Sequence, residues 1–155
     1  MIQVKFKKLH PNARIPEKAH DQDFCYDCYA VSEEEIAPNV WRYGLGFALQ
    51  IDRKASDLNL DDDCEDLNID IDGRPRSSVW KTGMVLANCE PTIDEIYTGE
   101  IKVIFYHVFP NMPRYKIGDK LLQIKFGFTS PMNFVEVDEL NETERGAGGF
   151  GSTGN

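Results

Sequence analysis

Ile2-Gln3-Val4-Lys5-Phe6-Lys7 places an apolar side chain at every second position with a polar one between. A period of two marks a strand with one face buried and the other in water. Outward from this opening the same texture recurs. Val40–Ile51, Leu67–Ile71, Val85–Ala87, Glu100–Val108, Lys120–Phe126 and Phe134–Val137 read as strands, parted by turn-rich pieces such as Phe109–Pro113 and Ile117–Asp119. Tyr26, Tyr29 and Val31 favour another strand around Cys25 and Cys28. No long segment carries the 3.6-residue period of a helix, and at most one short helix is expected, after Pro75. Many short strands at this spacing predict an all-β fold, a sandwich or jelly-roll-like barrel without internal repeats.

The 155 residues, 41% hydrophobic and 28% charged, suit one globular domain. Seventeen basic against 26 acidic residues leave a net charge of -9, which repels a polyphosphate backbone and argues against duplex nucleic acid as a main partner. The first thirty residues contain nothing near the ~20 apolar residues that span a bilayer, so a soluble, cytoplasmic chain without leader or membrane anchor is expected. Four cysteines, Cys25, Cys28, Cys64 and Cys89, are few for a disulfide framework, and reduced thiols are expected. Cys25 and Cys28 form one C-x-x-C pair with no second pair to complete a four-ligand zinc site.

Two segments invite site chemistry. Asn68-Ile69-Asp70-Ile71-Asp72-Gly73, after the acidic run Asp61–Asp66, imitates the start of a calcium loop, yet its twelfth position is Val79 where a bidentate Glu is needed. A solvated loop entering a strand, with Leu67, Ile69 and Ile71 toward the core, is the plainer reading. The tail differs in kind. Arg145-Gly146-Ala147-Gly148-Gly149-Phe150-Gly151-Ser152-Thr153-Gly154 interleaves a guanidinium, an aromatic ring and two hydroxyls with five glycines. Those groups supply backbone N–H donors and a cation for phosphate, and a flat face for a base.

This tail resembles the fifth motif of the homotrimeric deoxyuridine triphosphatase (dUTPase) family over ten residues, and the resemblance extends from about residue 13 to the C-terminus. Pro75-Arg76-Ser77-Ser78, followed by Val79-Trp80-Lys81 and Gly83, resembles the second motif. Asn88-Cys89-Glu90-Pro91-Thr92-Ile93-Asp94-Glu95-Ile96-Tyr97-Thr98-Gly99 resembles the third, with Pro91 where the family usually has Gly and Ile96 in place of a common second Asp. Gly118-Asp119-Lys120-Leu121-Leu122-Gln123 resembles the fourth, and Asp27 matches the first-motif carboxylate, although Phe24-Cys25 replaces a small Ala-Gly pair. The resemblance implies a homotrimer of jelly-roll-like barrels, with a barrel over residues 1–140, an extra loop or hairpin near residues 50–71, and a flexible substrate-capping arm over residues 141–155.

The same resemblance implies hydrolysis of dUTP to dUMP and pyrophosphate, with sites at subunit boundaries. Asp94 would be the catalytic base and Tyr97 the ring beneath the deoxyribose. Asn88 would lie near the uracil edge, and Arg76, Ser77, Ser78 and Gln123 would bind the phosphates. From the tail, Phe150 would stack on uracil while Arg145, Gly151, Ser152 and Thr153 complete the substrate-binding set. Mg2+ would ride mainly on the triphosphate and reach Asp27 through water. Independently of the resemblance, Ser77-Ser78 at a helix start would present hydroxyls and unpaired backbone N–H groups to an anion. Two alternatives share the fold. One is a deoxycytidine triphosphate deaminase, whose catalytic Glu would fall at Ile104, and the other is a nucleotide-binding regulatory module without turnover.

Overall fold

The computed structural model describes residues 2–53 and 67–148. Its strands are β1 (Gln3–Lys8), β2 (Tyr26–Tyr29), β3 (Ser32–Ala37), β4 (Val40–Gly44), β5 (Phe47–Asp52), β6 (Asn68–Pro75), β7 (Met84–Leu86), β8 (Thr92–Ile93), β9 (Lys102–His107) and β10 (Lys120–Thr129). They form two four-stranded sheets, ordered β2-β10-β6-β8 and β3-β4-β9-β7, and a ribbon of β1 with β5. All these pairings are antiparallel. The short helix expected after Pro75 is a single 3₁₀ helix, Ser77–Lys81. The chain is therefore all-β, of the jelly-roll-like class.

All three sheets feed one core. Ile69 and Ile71 come from β6, Leu122 and Ile124 from β10, Tyr43 from β4, Phe105 from β9, and Phe47 and Leu49 from β5. Burying each large apolar side chain contributes about 1.5–3 kcal/mol. Aromatic edges organise the centre: Phe105 and Tyr115 meet at 5.3 Å between ring centroids, and the buried Tyr43 hydroxyl donates to the Tyr115 carbonyl at 2.9 Å. Ile69 and Ile71 face inward as expected, while Asp70 accepts from Thr129 Oγ1 and Asp72 from Thr92 Oγ1 on the other face. The Asn68–Gly73 segment is thus strand and not a calcium loop.

Three departures from the sequence reading have physical causes. Val40–Ile51 is two strands, because the chain changes sheets at Gly46 (φ 72°); a Cβ there would stand 2.6 Å from Val31 Cγ2 and 2.7 Å from His10 Cβ. β3 went unread because Ser32-Glu33-Glu34-Glu35 looks like a solvated acidic run. It is a sheet edge whose carboxylates are spoken for, Glu33 by both Nη atoms of Arg114, Glu34 by Arg42 and Glu35 by the Asn39 N–H. Charge on an edge strand also discourages edge-to-edge aggregation. Phe134–Val137 is not a strand. β10 ends at Thr129, and Phe134 is 94% exposed, since no strand among the described residues pairs with it to complete a ladder.

Cys28 is buried in β2 and Cys25 half-buried just before it; with Cys89 they are free thiols, and burial together with the Asp27 charge pushes the Cys28 thiol up. Cys64 and most of the acidic stretch within 50–71 lie outside the described residues. No helix among the described residues is long and apolar enough to cross a membrane.

Candidate active site

Asp27 is the one charged side chain buried among the described residues, only 3% exposed. A carboxylate removed from water must be compensated. Lys120 Nζ donates to its Oδ2 at 2.9 Å, Gln123 Nε2 to its Oδ1 at 3.2 Å, and Arg76 Nε makes an ion pair with Oδ1 at 2.9 Å. Burial pushes the carboxyl up, but the Lys120 and Gln123 hydrogen bonds and the Arg76 and Lys120 charges outweigh it, holding Asp27 below its ordinary value.

A register irregularity builds this cluster. Lys120 pairs with Tyr29, Leu122 with Cys28 and Gln123 with Asp27, the shift falling between Lys120 and Leu122. Residues three apart in a regular strand face opposite sides, so Lys120 and Gln123 could not both reach Asp27. The extra residue Leu121 rephases the strand, and both do. Leu121 and Leu122 are consequently consecutive and both fully buried. Lys120, which the sequence reading did not assign, belongs with Asp27, Arg76 and Gln123. The signal was present: two adjacent leucines interrupt an alternating run.

Arg76 caps the 3₁₀ helix, its carbonyl accepting from the Val79 N–H at 2.9 Å. Ser77 is exposed and Ser78 half-buried in the first turn, directly after Arg76 in the chain.

Asp94 lies elsewhere. It opens a turn closed by the Tyr97 N–H on the Asp94 carbonyl at 2.9 Å. Its carboxylate is exposed and makes no hydrogen bond or ion pair among the described residues. Tyr97 returns its hydroxyl to the Glu100 carbonyl at 3.0 Å, across a glycine. A Cβ at Gly99 would lie 2.5 Å from that hydroxyl. Upstream, Asn88 is exposed in the turn after β7, and the segment that follows is laced to β6. Glu90 pairs with Arg74, and the Pro91 carbonyl accepts from the Gly73 N–H at 2.8 Å. Pro91 thus lacks the N–H of the usual glycine yet fastens the loop through its carbonyl.

The two groups are not brought together within one chain. Asp27 lies opposite Gln123 and, one strand further, Arg74. Continuing the β6–β8 register places Asp94 opposite Asp70. Four residues along the strand and three strand spacings across the sheet put Asp27 and Asp94 about 20 Å apart. In the tail, Arg145 Nε donates to the Gly148 carbonyl at 2.9 Å and Gly146 has φ 48°. Phe150, Gly151, Ser152 and Thr153 lie outside the described residues.

No group of three or more His, Cys, Asp or Glu side chains among the described residues could hold a metal ion, and the oxygens of Asp27 are already met by Lys120, Gln123 and Arg76. The described residues therefore do not fit a resident metal centre.

The all-β domain thus carries a cation-ringed carboxylate at one end of a sheet and, at the other, an exposed carboxylate without a partner among the described residues. The family model described as dUTPase matches residues 68–154. The deoxyuridine 5'-triphosphate nucleotidohydrolase of Helicobacter pylori (strain ATCC 700392 / 26695) is 32% identical, with 99% of this chain and 97% of that protein covered. That of Wolinella succinogenes is 36% identical, covering 99% and 95%. Among solved structures, the Staphylococcus bacteriophage 80alpha dUTPase G164S mutant with dUpNHpp superposes with a TM-score of 0.77 at 20% identity over 99% of both chains. The chain belongs to the dUTPase family.

Proposed function

We propose that this protein hydrolyses dUTP to dUMP and pyrophosphate, Asp94 serving as the base for a water that attacks the α-phosphorus. The water oxygen bonds to phosphorus, its proton passes to the Asp94 carboxylate, and the bond to the bridging oxygen breaks with pyrophosphate leaving. One observation carries the reading: in a loop whose neighbours are fastened at Glu90, Pro91, Glu95 and Tyr97, Asp94 keeps an exposed carboxylate without a partner among the described residues. A general base needs reach before it needs a shifted pKa.

Arg76, Lys120, Gln123, Ser77 and Ser78 would receive the phosphates, the cations exchanging Asp27 for phosphate oxygens. Divalent metal is then part of the substrate, arriving on the triphosphate and offsetting its charge. The tail residues Arg145, Phe150, Gly151, Ser152 and Thr153 would close over the nucleotide as a lid. Tyr97 would exclude a 2′-hydroxyl.

A separation of about 20 Å between the Asp27 cluster and Asp94 is too wide for one α-phosphate, which supports a site shared between copies, as in a homotrimer. Met132, Phe134, Val135, Val137 and Leu140, five exposed apolar side chains within nine residues, also favour association, since exposed apolar surface marks interaction sites.

The test is product analysis with dUTP, UTP, dTTP and dCTP, each with Mg2+. Rapid formation of dUMP and pyrophosphate from dUTP, with the others poor substrates, is expected. Equal rates on dUTP and UTP would remove the role given to Tyr97, and ammonia from dCTP would favour a deaminase.

A further inference from the structure

The turn that carries Asp94 is held from its flank by a side chain that the proposed chemistry leaves unused. Glu95, the residue after Asp94, accepts from Arg53 Nε at 2.5 Å and from Arg53 Nη2 at 2.6 Å. The same Nη2 donates to the Leu67 carbonyl at 2.7 Å, and Glu95 Oε2 also accepts from the Ile69 N–H at 3.2 Å. Arg53 directly follows β5 and Leu67 directly precedes β6. One carboxylate therefore fastens the ends of two strands to the turn.

The fork is a partly buried, two-point, charge-assisted contact. The Glu95 side chain is 20% exposed and that of Arg53 37%. Planar guanidinium and planar carboxylate fix each other's orientation as well as distance. The Arg53 hydrogen bonds hold Glu95 below its ordinary carboxylate value against the opposing effect of burial. Asp94 has no side-chain anchor among the described residues, so its place in space follows from the backbone on either side. On one side Ile93 packs against the core, and on the other stands Glu95.

We infer that Arg53 and Glu95 are positioning residues for Asp94, the fork setting where the turn presents the Asp94 carboxylate. The inference rests on the reading of Asp94 as the base. Neither residue touches substrate or water in this role; both act through Asp94. A displacement of about 1 Å at a reacting group can cost on the order of 10²-fold in rate, so loosening the fork should lower turnover while leaving nucleotide binding nearly intact.

The experiment compares Arg53→Ala, Glu95→Gln, Asp94→Asn and the double variant Asp94→Asn/Glu95→Gln, using dUTP with Mg2+ and a thermal melt of each protein. Arg53→Ala and Glu95→Gln should lose roughly 10- to 100-fold in kcat with KM changed less than about threefold. The double variant should be no slower than Asp94→Asn alone, because groups that act as a unit are not additive. If Glu95→Gln fails to fold, Arg53→Ala and Arg53→Gln give the same reading from the more exposed partner. An inactive Asp94→Asn beside full kcat in the fork variants overturns the positioning role alone, as does a double variant slower by the product of the two single losses. Full activity of Asp94→Asn overturns the assignment of the base instead.

Discussion

A buried carboxylate survives folding only while its partners hold it, and Asp27 has three. Two partly buried carboxylates are held likewise: Glu33, which the Arg114 hydrogen bonds keep below its ordinary value against burial, and Glu95 with Arg53. Each is favoured as the anion in the fold more than in the unfolded chain. Their stabilisation is complete above the ordinary carboxylate value near 4 and drains away as pH falls through the depressed folded values. Urea midpoints should therefore be level from pH 7 to about pH 5 and drop below about pH 4, and Glu95→Gln should flatten that acid slope. Asp27→Asn at pH 7 should cost about 1.5–3 kcal/mol by urea unfolding, the range for hydrogen bonds to charged groups, and no more, because Lys120 and Arg76 keep partial contact with water. Turnover falls for a different reason in Asp94→Asn. The amide keeps the shape but cannot take the proton, and kcat should drop on the order of 10²–10⁴ with an unchanged melting temperature. Tyr97→Phe should lose only the bond to the Glu100 carbonyl, about 0.5–1.5 kcal/mol, and keep its preference for dUTP over UTP in a competition assay, since the ring would do the excluding.

At the scale of elements, the bulge in β10 decides whether a site exists. Deleting Leu121 would restore a regular strand, and either Lys120 or Gln123 would then point into the core. Burying that group without its partner adds to the loss of a fully buried leucine, which alone costs about 2–5 kcal/mol. The deletion variant should melt far below the wild type or fail to refold, as followed by circular dichroism. Retention of both stability and dUTP turnover would show that the irregularity is not what aligns Asp27 with Lys120 and Gln123.

For the molecule as a whole, separation of the Asp27 cluster from Asp94 predicts that active sites form between copies. Chains carrying Asp94→Asn and chains truncated after Glu144 should each be inactive but regain partial activity when unfolded and refolded together. Light scattering should report about three times the chain mass. A monomer that retains full turnover would end the shared-site reading.

Alternating residues were enough to foresee strands at both ends of the core. The motifs around Arg76, Asp94 and Gln123 could be marked because each lies in one short stretch that resembles a motif of the family. β3 was not legible, since triple glutamate reads as solvent-facing until Arg114, some eighty residues away, arrives to pair with Glu33. Nor was the strand lost at Phe134–Val137, where the pattern is that of a strand but no partner strand lies among the described residues. Lys120 and Arg53 escaped for the same reason in smaller form. A bulge turns Lys120 to the face of Asp27, and the folding of β5 against β6 brings Arg53 to Glu95. Amino-acid order by itself determined which residues favour strands, which carry charge and which can do chemistry; only the tertiary structure decided which charges meet, because pairing energies depend on through-space distance and burial, and neither is a property of neighbours along the chain.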